Sequence, residues 1–407
     1  YPIVTGTKWC TMPSSMTTIA QDNAMQICPS DPLLEPIVEK VMSGDRLSAE
    51  DGMVLYETPD LWSVCSMANH VRMRLHGNKA YYNINRHINY SNVCALSCKF
   101  CDFYRKKDQE GAYEYSVEDI QKETKGARDS GATEIHMVGG LHPWLPFSYY
   151  TDILKAIKEI APTIHIKAFT AVEIVHLARI SKRGRDGLDG ISSVIQDLID
   201  SGLGSLPGGG AEVFDDRVHD EAFRGKIRGQ QWMDVHRAAH ELGIHSNATM
   251  LYGHIESRRE RITHMMLLRE EQDRVEQNET QAGFQAIIPL PFIPGVSELA
   301  HLPGPCGLEN VRTIAISRLM LDNIPHVKAF WIMQTLNMAQ HMLQCGTDDI
   351  DGTVVWYDIT KVSTSTTHQE CSVADLRRAI VDAGFTPVER DTLYRTVIRD
   401  GATWQAL

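Results

Sequence analysis

The amino-acid sequence predicts an α/β chain built on a TIM-type (β/α)8 barrel, with an N-terminal helical cap and a C-terminal extension. Three observations predict it. Short apolar runs alternate with amphipathic helical stretches about eight times between residues 81 and 356, which calls for a parallel sheet closed on itself. Glycine and charged clusters fall where those runs end, at Gly139-Gly140, Glu173, Gly208–Gly210 and His254, the rim on which such barrels carry function. The 407 residues are 43% hydrophobic, enough for one large core, and no repeat or Pro/Gly/Ser-rich linker divides them.

The elements follow in order. Residues 1–29 form an atypical segment with no readable pattern. Residues 30–80 read as the helical cap: Leu33, Leu34, Ile37, Val38 and Val41 recur at helical spacing until Gly44, and further helices cover 48–56 and 60–75. The run Tyr82–Tyr90 opens the barrel. Ser116-Val-Glu-Asp119 is a capping box, and its helix ends before Gly131. Strands are expected at 133–138, 164–168, 204–206, 244–251, 284–290, 327–333 and 352–355. Helices are expected at 148–160, 190–201, 230–242, 257–275, 308–323 and 335–344. Residues 357–407, with a helix at 372–383, make the C-terminal extension. The stretch Lys182–Gly190 reads as a surface insertion.

Composition excludes several classes. A net charge of −12 argues against bulk binding to nucleic acid or to an anionic membrane. No apolar run reaches the length of a membrane span, and no secretory signal opens the chain, so a cytoplasmic location is expected. Nine cysteines in a chain this long do not make a disulfide scaffold, and six of them are scattered.

The other three are clustered as Cys94-Ala-Leu-Ser-Cys98-Lys-Phe-Cys101. One short loop at this spacing wraps three thiolates around a small object. Three ligands rather than four is the informative count. Electron-carrying iron–sulfur sites and closed zinc sites take four, whereas three thiolates on a 4Fe–4S cluster leave one iron open to a chelating ligand. A zinc site completed by His87 and plain buried thiols are the alternatives. A C-x3-C-x2-C run with an aromatic, Phe100, before its last cysteine resembles the radical S-adenosylmethionine (SAM) superfamily. The resemblance implies a 4Fe–4S cluster on Cys94, Cys98 and Cys101, with SAM on its open iron. It also implies an electron from a low-potential donor such as flavodoxin or ferredoxin, and cleavage of SAM to methionine and a 5′-deoxyadenosyl radical. Gly139-Gly140 would then meet the SAM amino group, and Glu173 the amine or ribose. The plain alternatives are a strand-end turn and a solvated carboxylate at a helix N-terminus.

Longer stretches resemble the radical SAM enzymes of the futalosine route to menaquinone. They include Gly139-Gly-Leu-His-Pro143, Ala168-Phe-Thr-Ala-Val-Glu-Ile174, Ser205-Leu-Pro-Gly-Gly-Gly-Ala-Glu212 and Asn247-Ala-Thr-Met-Leu-Tyr-Gly-His254. The aminofutalosine synthase family is the nearer match; its cyclase relatives tend to carry Pro-Pro-Glu where this chain has Thr170-Ala-Val-Glu173. A deazaflavin-forming (FO) synthase subunit is more distant, and a non-enzymatic metal-binding protein more distant still. The resemblance implies addition of the 5′-deoxyadenosyl radical to 3-[(1-carboxyvinyl)oxy]benzoate, with loss of bicarbonate. A small dicarboxylate needs cations or donors in the pocket. The candidates at strand ends are Arg86, His87, Lys167, His254, Lys328 and Arg390, with backbone N–H groups around Gly209. Pro291-Phe-Ile-Pro-Gly295 departs from the family pattern by placing Ile293 where a polar residue is expected.

Overall fold

The computed structural model describes residues 27–277, 282–295, 297–355 and 370–407. Most of the atypical segment 1–29 and the start of the C-terminal extension lie outside the described residues. The cap is three helices with legible ends. Helix α1 (Glu35–Ser43) stops at Gly44, whose φ of 84° suits a residue without Cβ. Helix α2 (Ala49–Glu57) opens on a Ser48–Asp51 capping box. Helix α3 (Leu61–His76) opens on Asp60, which accepts from the Ser63 N–H.

The α/β alternation then begins. Strands β1 (Lys79–Asn83) and β2 (Asn85–Ile88) are one extended run broken at Ile84. Next come α4 (Val117–Asp129, with the expected Ser116–Asp119 capping box), β3 (Glu134–Met137), α5 (Phe147–Ile160) and β4 (His165–Ala168). The chain continues through α6 (Ala171–Ile180), α7 (Gly187–Asp200), α8 (Asp216–Ala222), α9 (Gly229–Glu241), β5 (Ser246–Tyr252), α10 (Arg258–Gln277) and β6 (Phe284–Pro291). Then follow α11 (Gly307–Met320), β7 (His326–Val327), α12 (Trp331–Gln334), α13 (Leu336–Met342) and β8 (Asp349–Gly352). The C-terminal part holds α14 (Val373–Asp382), β9 (Thr386–Glu389), β10 (Val397–Asp400) and β11 (Thr403–Ala406).

The fold is a TIM-type α/β arrangement with parallel strands. Its regular ladders are three small parallel sheets, β8-β1-β9, β2-β3-β4 and β5-β6-β7, and an antiparallel pair, β10-β11. Single bridges join the parallel sheets, at Lys167–Ser205, Leu206–Ser246 and Lys328–Asp349. The expected strand at 204–206 contributes only such bridges. Strand β9 pairs in parallel with β1, so the C-terminal extension is tied to the sheet edge rather than merely packed on it.

The structure corrects the sequence reading in three places. The strand expected at 352–355 lies at Asp349–Gly352 (β8), and Val354 and Val355 beyond it have positive φ. The apolar run 327–333 is a two-residue strand followed by the single helical turn α12, whose Trp331 indole donates to the Gly352 carbonyl at 2.8 Å. Helices α6 and α8, for which the sequence reading gave no range, are present. One core unites everything: Leu34 and Leu55 of the cap, Ile135, Ala248 and Ile287 of the strands, and Leu376 and Ile380 of α14 belong to the same buried cluster.

Candidate active site at the strand C-termini

A cavity of about 320 Å³ opens at the C-terminal ends of the strands. The cysteine loop forms one wall, and the backbone locks that loop in place. Cys94 N–H donates to the Arg105 carbonyl at 3.0 Å, and Ala95 N–H to the Leu141 carbonyl at 2.9 Å. The Lys106 ammonium donates to the carbonyls of Cys94 and Leu96 at 3.0 and 2.8 Å. Cys94, Cys98, Phe100 and Cys101 all line the cavity. The N–H groups of Leu96 and Leu141 each point at the Cys94 sulfur at 3.4 Å, and those of Phe103 and Tyr104 at Cys101. Burial pushes the Cys98 thiol up to about 12, although the Lys226 ammonium works against it.

Gly139 and Gly140 sit across from the loop at the end of β3. A Cβ on Gly140 would lie 2.3 Å from the Val93 carbonyl oxygen, and one on Gly139 would lie 2.6 Å from the Tyr90 ring. Only glycine allows this approach. Beneath the turn lies Glu173, the third residue of α6, in a capping box with Thr170. It is not the solvated carboxylate of the plain alternative, being only 2% exposed. One oxygen accepts from Tyr90 Oη at 2.6 Å and Gly139 N at 3.0 Å; the other accepts from Thr170 N and Oγ1, both at 2.7 Å. Burial raises its pKa, while these donors oppose the rise. Glu173 therefore pins the glycine turn to the start of α6.

The cavity floor is polar. Lys167 pairs with Glu134 at 2.9 Å and Lys328 with Asp351 at 3.2 Å, all deeply buried. The rings of His87 and His136 lie 4.3 Å apart, and burial pushes His87 down to about 4, so it is neutral at pH 7. Thr249 Oγ1 donates to the Gly208 carbonyl at 2.7 Å and fixes the Gly208–Gly210 loop, of which Gly209 also faces the cavity. Ile293 lines the opening.

Three sequence candidates lie off this cavity. Arg86 pairs with Glu123 of α4, its Nε 3.0 Å from the carboxylate. His254 Nε2 meets the Leu251 carbonyl at 3.0 Å, and its Nδ1 lies 3.3 Å from Glu256. Arg390 is buried against Asp349 at 2.6 Å, under the Tyr394 ring. Sequence reasoning missed His136, Asp351 and the Lys226–Glu212 ion pair, all of which line the cavity. Glu212 closes a stretch already marked by its glycines. Lys226 sits in no motif, and its ammonium lies 5.3 Å from the centre of the Phe100 ring.

Comparison with known proteins settles the family. Residues 88–268 match the model of the radical SAM superfamily, and residues 281–400 that of the CofH/MqnC C-terminal region. Aminodeoxyfutalosine synthase of Thermus thermophilus is 43% identical over 90% of this chain and 96% of its own length. The chain belongs to the radical SAM superfamily. The enzyme of the same description from Streptomyces coelicolor is 42% identical over 89% of this chain and 93% of its own. Cyclic dehypoxanthine futalosine synthase of Halalkalibacterium halodurans is 32% identical over 89% and 95%. The crystal structure of the hydrogenase maturase HydG from Carboxydothermus hydrogenoformans superposes with a TM-score of 0.67 at 17% identity, covering 89% of this chain and 80% of that one, a likeness of fold.

Radical SAM enzymes use a 4Fe–4S cluster and SAM, and the residues present fit both. Among the described residues, only His76, His326 and Asp348 bring three ligand atoms within 4.8 Å of one another. Cys94, Cys98 and Cys101 face one cavity wall from a single loop, an arrangement that suits thiolates which would each bind a different iron. Backbone N–H groups aimed at two of the sulfurs stabilise negative charge there. Iron binding supplies the ionisation that burial opposes at Cys98. No helix among the described residues is long and apolar enough to cross a membrane.

Proposed function

We propose that this radical SAM enzyme is an aminofutalosine synthase, which joins the 5′-deoxyadenosyl group of SAM to 3-[(1-carboxyvinyl)oxy]benzoate and releases bicarbonate and methionine, in menaquinone biosynthesis. The observation that carries the reading is that the cysteine loop and the buried ammonium groups of Lys167 and Lys328 open on one cavity. That cavity matches a substrate with two carboxylates, and two relatives 43% and 42% identical to this chain bear that activity in their names.

Roles follow from position. Cys94, Cys98 and Cys101 would hold the cluster, which when bound supplies the electron that splits SAM. Phe100 shields the loop, and the glycine turn at Gly139-Gly140, held by Glu173, receives the amino acid end of SAM through its backbone. Lys167, Lys328 and neutral His87 offer donors to the carboxylates, with backbone N–H groups at Gly209 beside them. Lys167 donates to Glu134, Lys328 is ion-paired with Asp351, and an ammonium has three N–H donors to share. Arg86, His254 and Arg390 have no ligand role in this reading. The walls exclude water from the radical. The bridges between the three sheets favour a closed barrel over residues 81–356, with the cap at 30–80 and the extension at 357–407 as appendages. A cytoplasmic enzyme fed by a low-potential one-electron donor completes the reading.

The cyclase reading has one observation in its favour, the 32% identical futalosine cyclase relative. Anaerobic reconstitution with iron and sulfide, followed by SAM, reductant and each candidate substrate, separates the two by product mass. Aminofutalosine is expected. A cyclised product with release of 5′-deoxyadenosine overturns the assignment.

A further inference from the structure

We propose that the exposed basic face over the cysteine loop, formed by Lys99, Lys106, Lys107 and Arg224 beside Trp144, docks an acidic one-electron carrier protein. The inference rests on the radical SAM reading and adds the surface through which the electron enters.

The first support is position. The cavity side of the loop serves the ligands, so an outside donor must approach through the loop itself. That wall is thin: Cys94 and Cys101 are only partly buried, and Ala95, Ser97 and Lys99 are exposed. The second is sign. The chain carries a net charge of −12, yet residues 94–107 hold Lys99, Arg105, Lys106 and Lys107 against Asp102 alone. Asp108 and Glu110 follow only beyond a left-handed turn at Asp108. An acidic carrier is repelled by the molecule as a whole, and a local basic patch is what turns its approach into docking.

The third support is that these charges are not neutralised by carboxylates, Lys106 being held by loop carbonyls instead. Among the described residues, no carboxylate pairs with Arg224, whereas most other arginines have a carboxylate partner; Lys99 and Lys107 also have none, as is common for the lysines of this chain. Two neighbours extend the face on either side. The Lys99 N–H donates to the Ala222 carbonyl at 2.9 Å, and a Cβ on Gly225 would lie 3.5 Å from the Leu96 side chain, which sets exposed Arg224 beside the loop. On the other side the Lys107 ammonium lies 4.8 Å over the ring of Trp144, which is 61% exposed. An exposed tryptophan next to free cations supplies the apolar contact that a charged patch lacks. Electron-transfer encounters bury less than about 1,200 Å², so a face of this extent suffices. The step is simple in balance: the carrier loses one electron, the cluster gains it, and no atom moves.

The test uses the reconstituted holoenzyme. Lys99→Glu, Lys107→Glu and Arg224→Glu are combined, and a control reverses three remote exposed charges, Lys79, Lys155 and Arg378. Cluster reduction is followed with reduced flavodoxin as probe across a salt series, and SAM cleavage with dithionite in parallel. The expected result is a fall of about 10-fold or more in the flavodoxin rate at low salt, with its salt dependence lost. Dithionite-driven cleavage and cluster content stay within about two-fold, and the control behaves as wild type. An unchanged flavodoxin rate in the triple variant, or an equal loss in the control, overturns the docking face. Failure of the wild type to cleave SAM with dithionite would instead sink the radical SAM reading beneath it.

Discussion

Gly140→Ala isolates the glycine turn from every other feature of the site. Gly140 is not among the glycines with positive φ, so the effect of a side chain there is steric. The added Cβ would lie 2.3 Å from the Val93 carbonyl oxygen, 2.8 Å from its carbonyl carbon and 3.1 Å from the Asn92 carbonyl carbon. All three are backbone atoms that cannot rotate aside. Carbon–oxygen contacts settle at about 3.3 Å or beyond, so the two segments must part by about 1 Å. Overpacking on that scale costs about 1–3 kcal/mol of stability. Parting also strains the bond from Gly140 N–H to the Ser91 carbonyl, 2.8 Å long, and shifts the residue that precedes Cys94. A 1 Å misplacement at a reacting centre costs about 100-fold in rate. The expected outcome is a lower urea midpoint, weaker SAM binding by calorimetry and SAM cleavage slowed by about two orders of magnitude. Gly209→Ala on the same cavity meets only the Thr170 methyl at 3.0 Å and should lose far less. A Gly140→Ala enzyme with wild-type stability and wild-type SAM affinity would refute the reasoning.

Three further outcomes are expected. Cys98→Ala should bind no cluster after reconstitution and cleave no SAM, with its far-ultraviolet dichroism unchanged; retained turnover removes the cysteine triad from the mechanism. Glu134→Gln leaves the Lys167 ammonium buried without its counter-charge and should cost about 3–5 kcal/mol in urea unfolding, while the double change Glu134→Leu with Lys167→Met recovers much of that loss; equal losses in both would mean the pair is not coupled. Burial holds His264 and His240 at about 3, the Thr249 carbonyl opposing at the first and nearby His245 reinforcing at the second. The unfolded chain takes up these protons below about 6.5 while the folded one refuses them. Stability should therefore fall by about 1.4 kcal/mol per pH unit for each group as pH drops from 6.5 toward 4. His264→Phe should flatten that slope, and an unchanged slope counts against the burial argument.

What the sequence revealed, and what it hid, follows from the range of the interactions. The cysteine loop, the glycine pair and the helix starts at Ser48 and Ser116 are local patterns, readable wherever the chain goes. The range of helix α6 escaped the sequence reading because it has almost no polar face: Ala171, Val172, Ile174, Val175, Leu177 and Ala178 are all buried, so no helical periodicity stands out. Its Thr170-x-x-Glu173 start was nonetheless in plain view. Helix α8 is too short for a period to show. The run 327–333 is an apolar stretch of the length at which strand and helix look alike. Arg390 and Arg86 looked like ligand cations because each sits by a strand; only the fold reveals that Asp349 and Glu123 already hold them. Lys226 acquires its place beside Cys98 from a contact between segments far apart in the chain.

The cavity floor explains how a chain of net −12 can be asked to hold a dicarboxylate. The charges that make up that net value lie mostly on the surface, and beyond a Debye length of about 8 Å salt screens them. The floor itself is balanced, with Lys167 against Glu134 and Lys328 against Asp351. Burial alone would push Asp351 up, yet Lys328, Arg390 and Lys167 hold it at about 2, so it remains charged throughout the physiological range. A bare ammonium at this depth would cost several kcal/mol before any ligand arrived. Internal counter-charges offset that penalty, and an ammonium has three N–H donors, more than one carboxylate contact uses. An incoming carboxylate then shares an ammonium that is already held in place. Recognition by shared, pre-oriented donors would discriminate by geometry rather than by attraction to any anion, as the proposed aromatic dicarboxylate substrate requires.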